Sequence, residues 1–314
     1  MSSKAEYLSR PELLQQLPVF FQPWWLDAVS RNWDIALAED KGRIEGVWPY
    51  ARDSKFGFKL IRNPQLTPYL GPFFFYPEQL STAEKVLFEQ RVFENLWQQL
   101  PRWDSFDLEA TTAFENAALF LQKEFTTTGK ITYELRLDQT EEQLWSALHS
   151  NHRNLIRQAE QCHEIVEGTD YLPGLAALHK ATFQRKGKPY PFKPSMITRL
   201  VNESYKHNAG SIFAARDEQQ RITASIFTVW DQEKMYLLLS TVNPEQAHPG
   251  AVRLLIFHAL KAAKQKGLRI FDFEGSMDPG IAAFFRRFGG QQKTYLCATK
   301  NKSVLWKIKK TILD

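Results

Sequence analysis

Asp272 and Glu274 stand two residues apart in Arg269-Ile-Phe-Asp-Phe-Glu274. On a strand that spacing puts both carboxylates on one side and Phe271 and Phe273 on the other. A carboxylate at such a strand end can take the proton of an attacking amine. The pattern recurs in Asp104-Ser-Phe-Asp-Leu-Glu109, and a structural role, bonding nearby backbone N–H groups, would explain both copies. A second constellation is cationic: His149, Arg153 and Arg157 recur every four residues and share one helix face, with His152 beside them. Two guanidinium groups on one face can grip phosphate or carboxylate bidentately; the alternative is a solvated face paired with Glu160 or Glu164. A third is the segment Gln246-Ala-His-Pro-Gly-Ala251, which opens a helix. Its Pro-Gly step is either an ordinary helix start or a backbone cradle for phosphate, with Gly250 permitting close approach and Pro249 lacking an N–H. Arg185, Lys186, Lys188 and Tyr190 form a basic, aromatic loop, either a lid or an exposed linker.

The elements that must position these residues are clearest in the second half. Residues 211–216, 221–230 and 235–242 are apolar, β-rich runs separated by short polar turns, which predicts an antiparallel meander. A helix follows over 250–266, with Val252, Leu255, Ile256, Ala259, Leu260 and Ala263 on one face and Gly267 as its stop. A strand over 268–274, a helix over 279–287 and a strand over 292–299 complete the order. The first half repeats it with strands over 34–38, 44–51 and 56–62, a helix over 82–100, a strand over 106–109, a helix over 113–124 and a strand over 131–137. Between the halves, helices are expected over 141–161, capped by Thr140, and over 172–184 and 195–207, with a Pro-rich loop at 188–194.

The echo also holds residue by residue. Phe106, Asp107 and Glu109 correspond to Phe271, Asp272 and Glu274 at a constant offset of 165, and Tyr133 answers Tyr295. The period is far too long for a solenoid and fits a duplicated folding unit. The expectation is two domains, residues 1–138 and 139–314, with 33–137 superposing on 211–299. Gly275 and Ser276 occur only in the second copy, where the first has Ala110 and Thr111.

Composition sets bounds on function. A chain of 314 residues, 43% hydrophobic and 24% charged, is long enough for two cores. No run reaches the ~20 apolar residues of a membrane span, and residues 1–10 lack a secretory pattern. Two cysteines, Cys162 and Cys297, are too few for a disulfide framework and suit a reducing cytoplasm. A net charge of +5 permits an anionic ligand without demanding one. Spacings for a metal site, a nucleophile elbow, a P-loop or a dinucleotide fingerprint are absent from the sequence.

Duplicated β-β-β-α-β-α-β order resembles the N-acyltransferase fold of the GNAT superfamily, α/β with mixed sheets. Three segments sharpen the resemblance to its tandem-domain branch, the FemAB-like peptidyltransferases and the acetyltransferases related to them. They are Asn151-His-Arg-Asn-Leu-Ile-Arg-Gln-Ala-Glu160, Lys266-Gly-Leu-Arg-Ile-Phe-Asp-Phe-Glu-Gly-Ser276 and Phe284-Phe-Arg-Arg-Phe-Gly-Gly290. The resemblance implies two tandem GNAT folds and acyl transfer to an amine. The donor is an acyl-coenzyme A, or alternatively an aminoacyl-tRNA used on a cell-wall precursor. A non-catalytic binding module for an anionic ligand is the rival from another class. The implied donor site is Gln246, His248, Gly250, Ala251 and Arg253. The implied acceptor residues are Arg153, Arg157, Lys186 and Glu274, with Asp272, Tyr236 and Ser276 at the chemistry. The acceptor, a small amine or a cell-envelope precursor, is expected between the two domains, and no metal is required. The first half reads Phe75-Tyr-Pro-Glu-Gln-Leu-Ser81 where the donor loop would be, without glycine, so the donor is expected in the second.

Overall fold

A computed structural model describes residues 3–275, 277–306 and 309; Ser276 lies outside the described residues. The chain forms two compact units, one of Met1–Lys130 with Thr294–Asp314, the other of Ile131–Lys293. Its strands are β1 Trp33–Asp40, β2 Arg43–Lys55, β3 Phe58–Arg62, β4 Phe73–Phe74, β5 Ser105–Glu109, β6 Thr126–Arg136, β7 His163–Glu167, β8 Gly210–Asp217, β9 Ile222–Trp230, β10 Lys234–Val242, β11 Ile270–Asp272 and β12 Gln291–Asn301.

In the first unit β1, β2 and β3 form the expected antiparallel meander, and β5 returns parallel to β3. Ser81 starts the intervening helix Thr82–Gln98 through a reciprocal capping box with Glu84. That helix lays Phe88, Val92, Phe93 and Leu96 on the sheet, where Phe93 meets Phe120 edge to face and Trp48, Phe106, Phe120 and Phe125 pack edge to face among themselves. The second unit repeats the plan: β8, β9 and β10 are antiparallel, and β11 returns parallel to β10. Helix Ala251–Gln265 buries Leu254, Leu255, Ala259, Leu260 and Ala263 against it.

The last strand of each half leaves its own sheet. Ile131–Arg136 of β6 pairs β11 in the second unit, with Asp272 opposite Glu134. β12 pairs β5 in the first, with Cys297 opposite Glu109. The compact units therefore differ from the expected division at 138/139. The helix expected over 141–161 is also two helices, Glu141–Ala147 and Ser150–Glu160, because Leu148 and His149 are extended at the joint. β7 beside β8, and the short helices Ser3–Leu8, Pro11–Leu14 and Pro23–Val29, add to the predicted elements.

Candidate active site

β10 and β11 are paired only through Lys234↔Ile270, Met235↔Phe271 and Tyr236↔Asp272. Beyond Tyr236 the register of β10 against β9 shifts between Leu237 and Leu239, a bulge that bends the strand. Its far end, Ser240–Thr241–Val242, continues without a pairing to β11 and lines a cavity of about 530 Å³, in the range for small-molecule sites. His248, Pro249, Val252 and Arg253, at the start of helix Ala251–Gln265, form another wall. Ile281, Phe284 and Phe285 of helix Pro279–Arg286 form a third. No carboxylate is among the described residues that line it.

The cationic wall is rigidly built. The Arg253 guanidinium donates from Nε to His152 Nδ1 at 3.3 Å and from Nη1 to the Pro249 carbonyl, and it lies 4.9 Å over the Phe284 ring. His152 is fully buried, held between Phe284 and Phe288, with Nε2 3.3 Å from the Phe284 carbonyl. A ring that donates to that carbonyl and accepts from Arg253 is neutral. Burial first, then the Arg253 charge, pushes its pKa down to about 4. Burial and neighbouring cations also lower His248, through His163 and Arg253, and Arg253 itself, through Arg287. The Arg253 charge thus stands here with no carboxylate among the described lining residues, and the first-turn N–H groups of Val252 and Arg253 add the helix dipole.

The donor-loop residues divide. His248 and Arg253 line the cavity; Gln246, Gly250 and Ala251 do not. Gln246 holds the preceding turn by accepting from Asn243 Nδ2 at 3.0 Å. The Gly250 N–H is taken by His248 Nδ1 at 2.9 Å, and a Cβ there would fall 1.9 Å from the Leu155 carbonyl oxygen. Glycine is required at 250 because helix Ser150–Glu160 packs on it. Pro249, which has no N–H to offer phosphate, instead gives its carbonyl to Arg253.

Asp272 is fully buried. Its Oδ1 accepts from the Thr132 hydroxyl and, at 2.8 Å, from the Glu274 N–H. Asp272 Oδ2 and Glu274 Oε1 are buried without partners. Burial raises Asp272 to about 6, and burial with the Asp272 charge raises Glu274 well above the ordinary carboxylate range. Glu274 sits at φ 49°, and a Cβ at Gly275 would fall 1.9 Å from the Ile131 carbonyl oxygen. Close passage of β6 therefore shapes this corner.

Tyr236 is buried, with its hydroxyl on Asp231 Oδ2 at 3.1 Å. Arg153 donates to the Ser146 and Leu148 carbonyls, closing the end of helix Glu141–Ala147, and Arg157 stacks on Trp145 at 5.3 Å. Lys186 is exposed at the end of helix Leu172–Arg185. None of Tyr236, Arg153, Arg157 or Lys186 lines the cavity. The residue that the cationic stripe concealed is His152, whose spacing to Ile156 and Ala159 puts it on the buried face.

Three antiparallel strands, a helix, and a strand that returns parallel and then parts from the third define the GNAT fold, here carried in tandem. The comparisons agree. Residues 146–286 match the family described as "Acetyltransferase (GNAT) domain". Among solved structures the chain is similar to FemX, at 11% identity and a TM-score of 0.71 over 92% of this chain and 94% of that one. It is also similar to the C-terminal domain of a putative lysylphosphatidylglycerol synthetase from Agrobacterium fabrum, at 11% identity and a TM-score of 0.58 over 99% and 97%. A tandem GNAT protein from the clavulanic acid biosynthesis pathway matches at 10% identity and a TM-score of 0.52 over 87% and 85%. Among curated proteins none matches significantly. No helix among the described residues is long and apolar enough to cross a membrane.

Proposed function

We propose that the second unit transfers an acyl group from a coenzyme A thioester to an amine. The observation that carries this reading is the acid-free cavity of about 530 Å³ where β10 leaves β11, with Arg253 clamped in its wall. Arg253, His248 and the first turn of helix Ala251–Gln265 would hold donor phosphate. Val242, Ile281 and Phe284 offer apolar surface to the arm that carries the thioester. The open edge at 240–242 supplies backbone groups to orient the carbonyl. The amine would attack directly and expel the thiolate, and its surplus proton would pass to the Asp272–Glu274 pair, directly or through water. Support for that pair is its position where the β10–β11 pairing ends, together with its unpartnered oxygens.

Aminoacyl-tRNA is the competing donor. The likeness to FemX and to a putative lysylphosphatidylglycerol synthetase domain motivates it, and that name suggests a lipid acceptor. The mild net charge of +5 and the compact cavity favour the small thioester. Acetyl-coenzyme A at a hundredfold excess over its dissociation constant should stabilise the protein by about 2.7 kcal/mol, and Arg253→Ala should abolish the shift. Absence of a shift with any acyl thioester, alongside consumption of an aminoacyl-tRNA, would transfer the proposal to the tRNA donor. Binding of either donor without turnover on any amine would leave a binding module.

A further inference from the structure

The tip of the β2–β3 hairpin in the first unit carries a residue its backbone disfavours. Lys55 pairs Phe58, so Phe56 and Gly57 are the two turn residues, and both have positive φ, 54° and 83°. Such turns select Asn, Asp or Gly at the first position, and a bulky aromatic there is strained. Phe56 packs into no core: it is 58% exposed. Strain kept for the display of an apolar ring points to something that the ring meets.

A second segment of the same unit reaches this tip. Trp306 lies against Phe58 with ring centroids 5.4 Å apart, and Lys309 Nζ is 4.4 Å over the Phe56 ring. Between them and β12, Val304 is 67% exposed and Leu305 70%. The same segments carry Lys55, Lys59, Lys302 and Lys309, all exposed, with Lys55 Nζ 5.6 Å from the Phe56 ring and Lys302 Nζ 3.8 Å over Trp103. Residues 300–310 contain five lysines and no acid. The nearby Asp53 is already paired with Arg62, and Asp104 accepts the Lys59 backbone N–H.

We propose that this patch binds the surface of an anionic lipid bilayer. The charge calls for an anionic partner, and the apolar residues decide which. A nucleic acid can stack on Phe56 and pair with lysine, but it offers nothing to the exposed aliphatic Val304 and Leu305. A bilayer takes all of them: Phe56, Val304 and Leu305 enter the headgroup–acyl boundary while the lysine stems snorkel to lipid phosphate. The surface lies in the first unit and is independent of the donor cavity, so it is a docking function beyond the acyl transfer.

The test is co-sedimentation of the full chain with vesicles of phosphatidylcholine alone or of equal parts phosphatidylcholine and phosphatidylglycerol. Binding is expected to the mixed vesicles only and to weaken with salt. Lys302→Gln and Lys309→Gln should each weaken it about fivefold. Phe56→Asn is the discriminating variant, because Asn suits the turn: it should preserve or raise fold stability while lowering vesicle binding. Val304→Ser with Leu305→Ser should lower it further, with the acetyl-coenzyme A shift unchanged in every variant. Equal binding to neutral vesicles, no binding to either, or undiminished binding by Phe56→Asn would overturn the proposal. Preference for a single-stranded RNA, lost in the lysine variants but kept in Val304→Ser with Leu305→Ser, would reassign the patch.

Discussion

The two copies of the Phe-Asp-x-Glu strand end in opposite ways. In the first unit β3 stops at Arg62, opposite Asp107, and Asn63 closes the gap. The Asn63 side chain bonds both the carbonyl and the N–H of Glu109, at 2.9 and 3.3 Å, and reaches the Thr67 carbonyl at 3.2 Å. The Glu109 carboxylate is neutralised by Lys130 and accepts from the Tyr295 hydroxyl. In the second unit β10 runs on to Val242 without a plug, a cavity occupies the gap, and the Asp272–Glu274 pair keeps buried, unpartnered oxygens. Duplication supplied the same strand ending twice. In the first copy the polar groups of Glu109 are satisfied; in the second, Asp272 Oδ2 and Glu274 Oε1 are buried without partners, a costly state that supports the proposed proton-accepting role.

The largest expected effect breaks that contrast at the residue after the glutamate. The first copy carries Ala110, fully buried, where the second has Gly275. Gly275→Ala would drive a Cβ to 1.9 Å from a backbone oxygen of β6, and should lower stability by about 3 kcal/mol or more. The reverse change, Ala110→Gly, should cost about 1 kcal/mol. Urea midpoints of the two variants check it, and a Gly275→Ala protein as stable as the parent would refute the close passage. Gly250→Ala should fail in the same way, against Leu155.

Acid should find the second unit first. His152 is neutral in the fold down to about pH 4, whereas an unfolded chain protonates its histidines near 6.5. Its contribution is complete above pH 6.5 and is lost as pH falls toward 4, about 3 kcal/mol in all. His152→Asn, whose amide can still accept from Arg253 and donate to the Phe284 carbonyl, should flatten the stability profile across that window. An unchanged slope would show that His152 does not hold Arg253 as a neutral ring.

Asp272 has the opposite sign. Its folded pKa is raised to about 6, so its contribution is complete below about pH 4 and is lost as pH rises through 6. Above that range the buried carboxylate burdens the fold. Asp272→Asn keeps an oxygen for Thr132 and the Glu274 N–H, so it should stabilise the protein at pH 7.5 by about 2 kcal/mol. Turnover should fall about a hundredfold. Asp107→Asn should stay within about 0.5 kcal/mol. Equal stability changes in the two variants, with turnover intact, would make both copies structural.

Much of this was legible in the sequence because it is written locally. Alternating apolar runs and their turns gave the meanders, and the offset of Asp107 to Asp272 revealed the repeat. The exchange of Ile131–Arg136 and β12 between sheets was not legible, since pairing partners are chosen by tertiary packing. Nor was the bend at Leu148 and His149, which splits the helix expected over 141–161. With that bend Arg153 closes the end of the first helix and Arg157 stacks on Trp145, while His152, outside the stripe, faces inward. Gly250 permits close approach, and the sequence leaves open a phosphate cradle or an ordinary helix start; what comes close is a helix backbone.

The smallest effect separates Arg153, an expected acceptor residue, from Arg253, the arginine of the proposed donor site. Arg153 spends its guanidinium on the Ser146 and Leu148 carbonyls, the uncapped end of a helix. Arg153→Ala should therefore cost about 1 kcal/mol of stability, and lysine should restore part of it, because a single ammonium still serves carbonyl acceptors. The acetyl-coenzyme A shift should be the same in both variants as in the parent. Arg253→Ala should show the reverse pattern, losing the shift. Loss of ligand response in Arg153→Ala at normal stability would return that residue to the binding surface and leave the helix end to solvent.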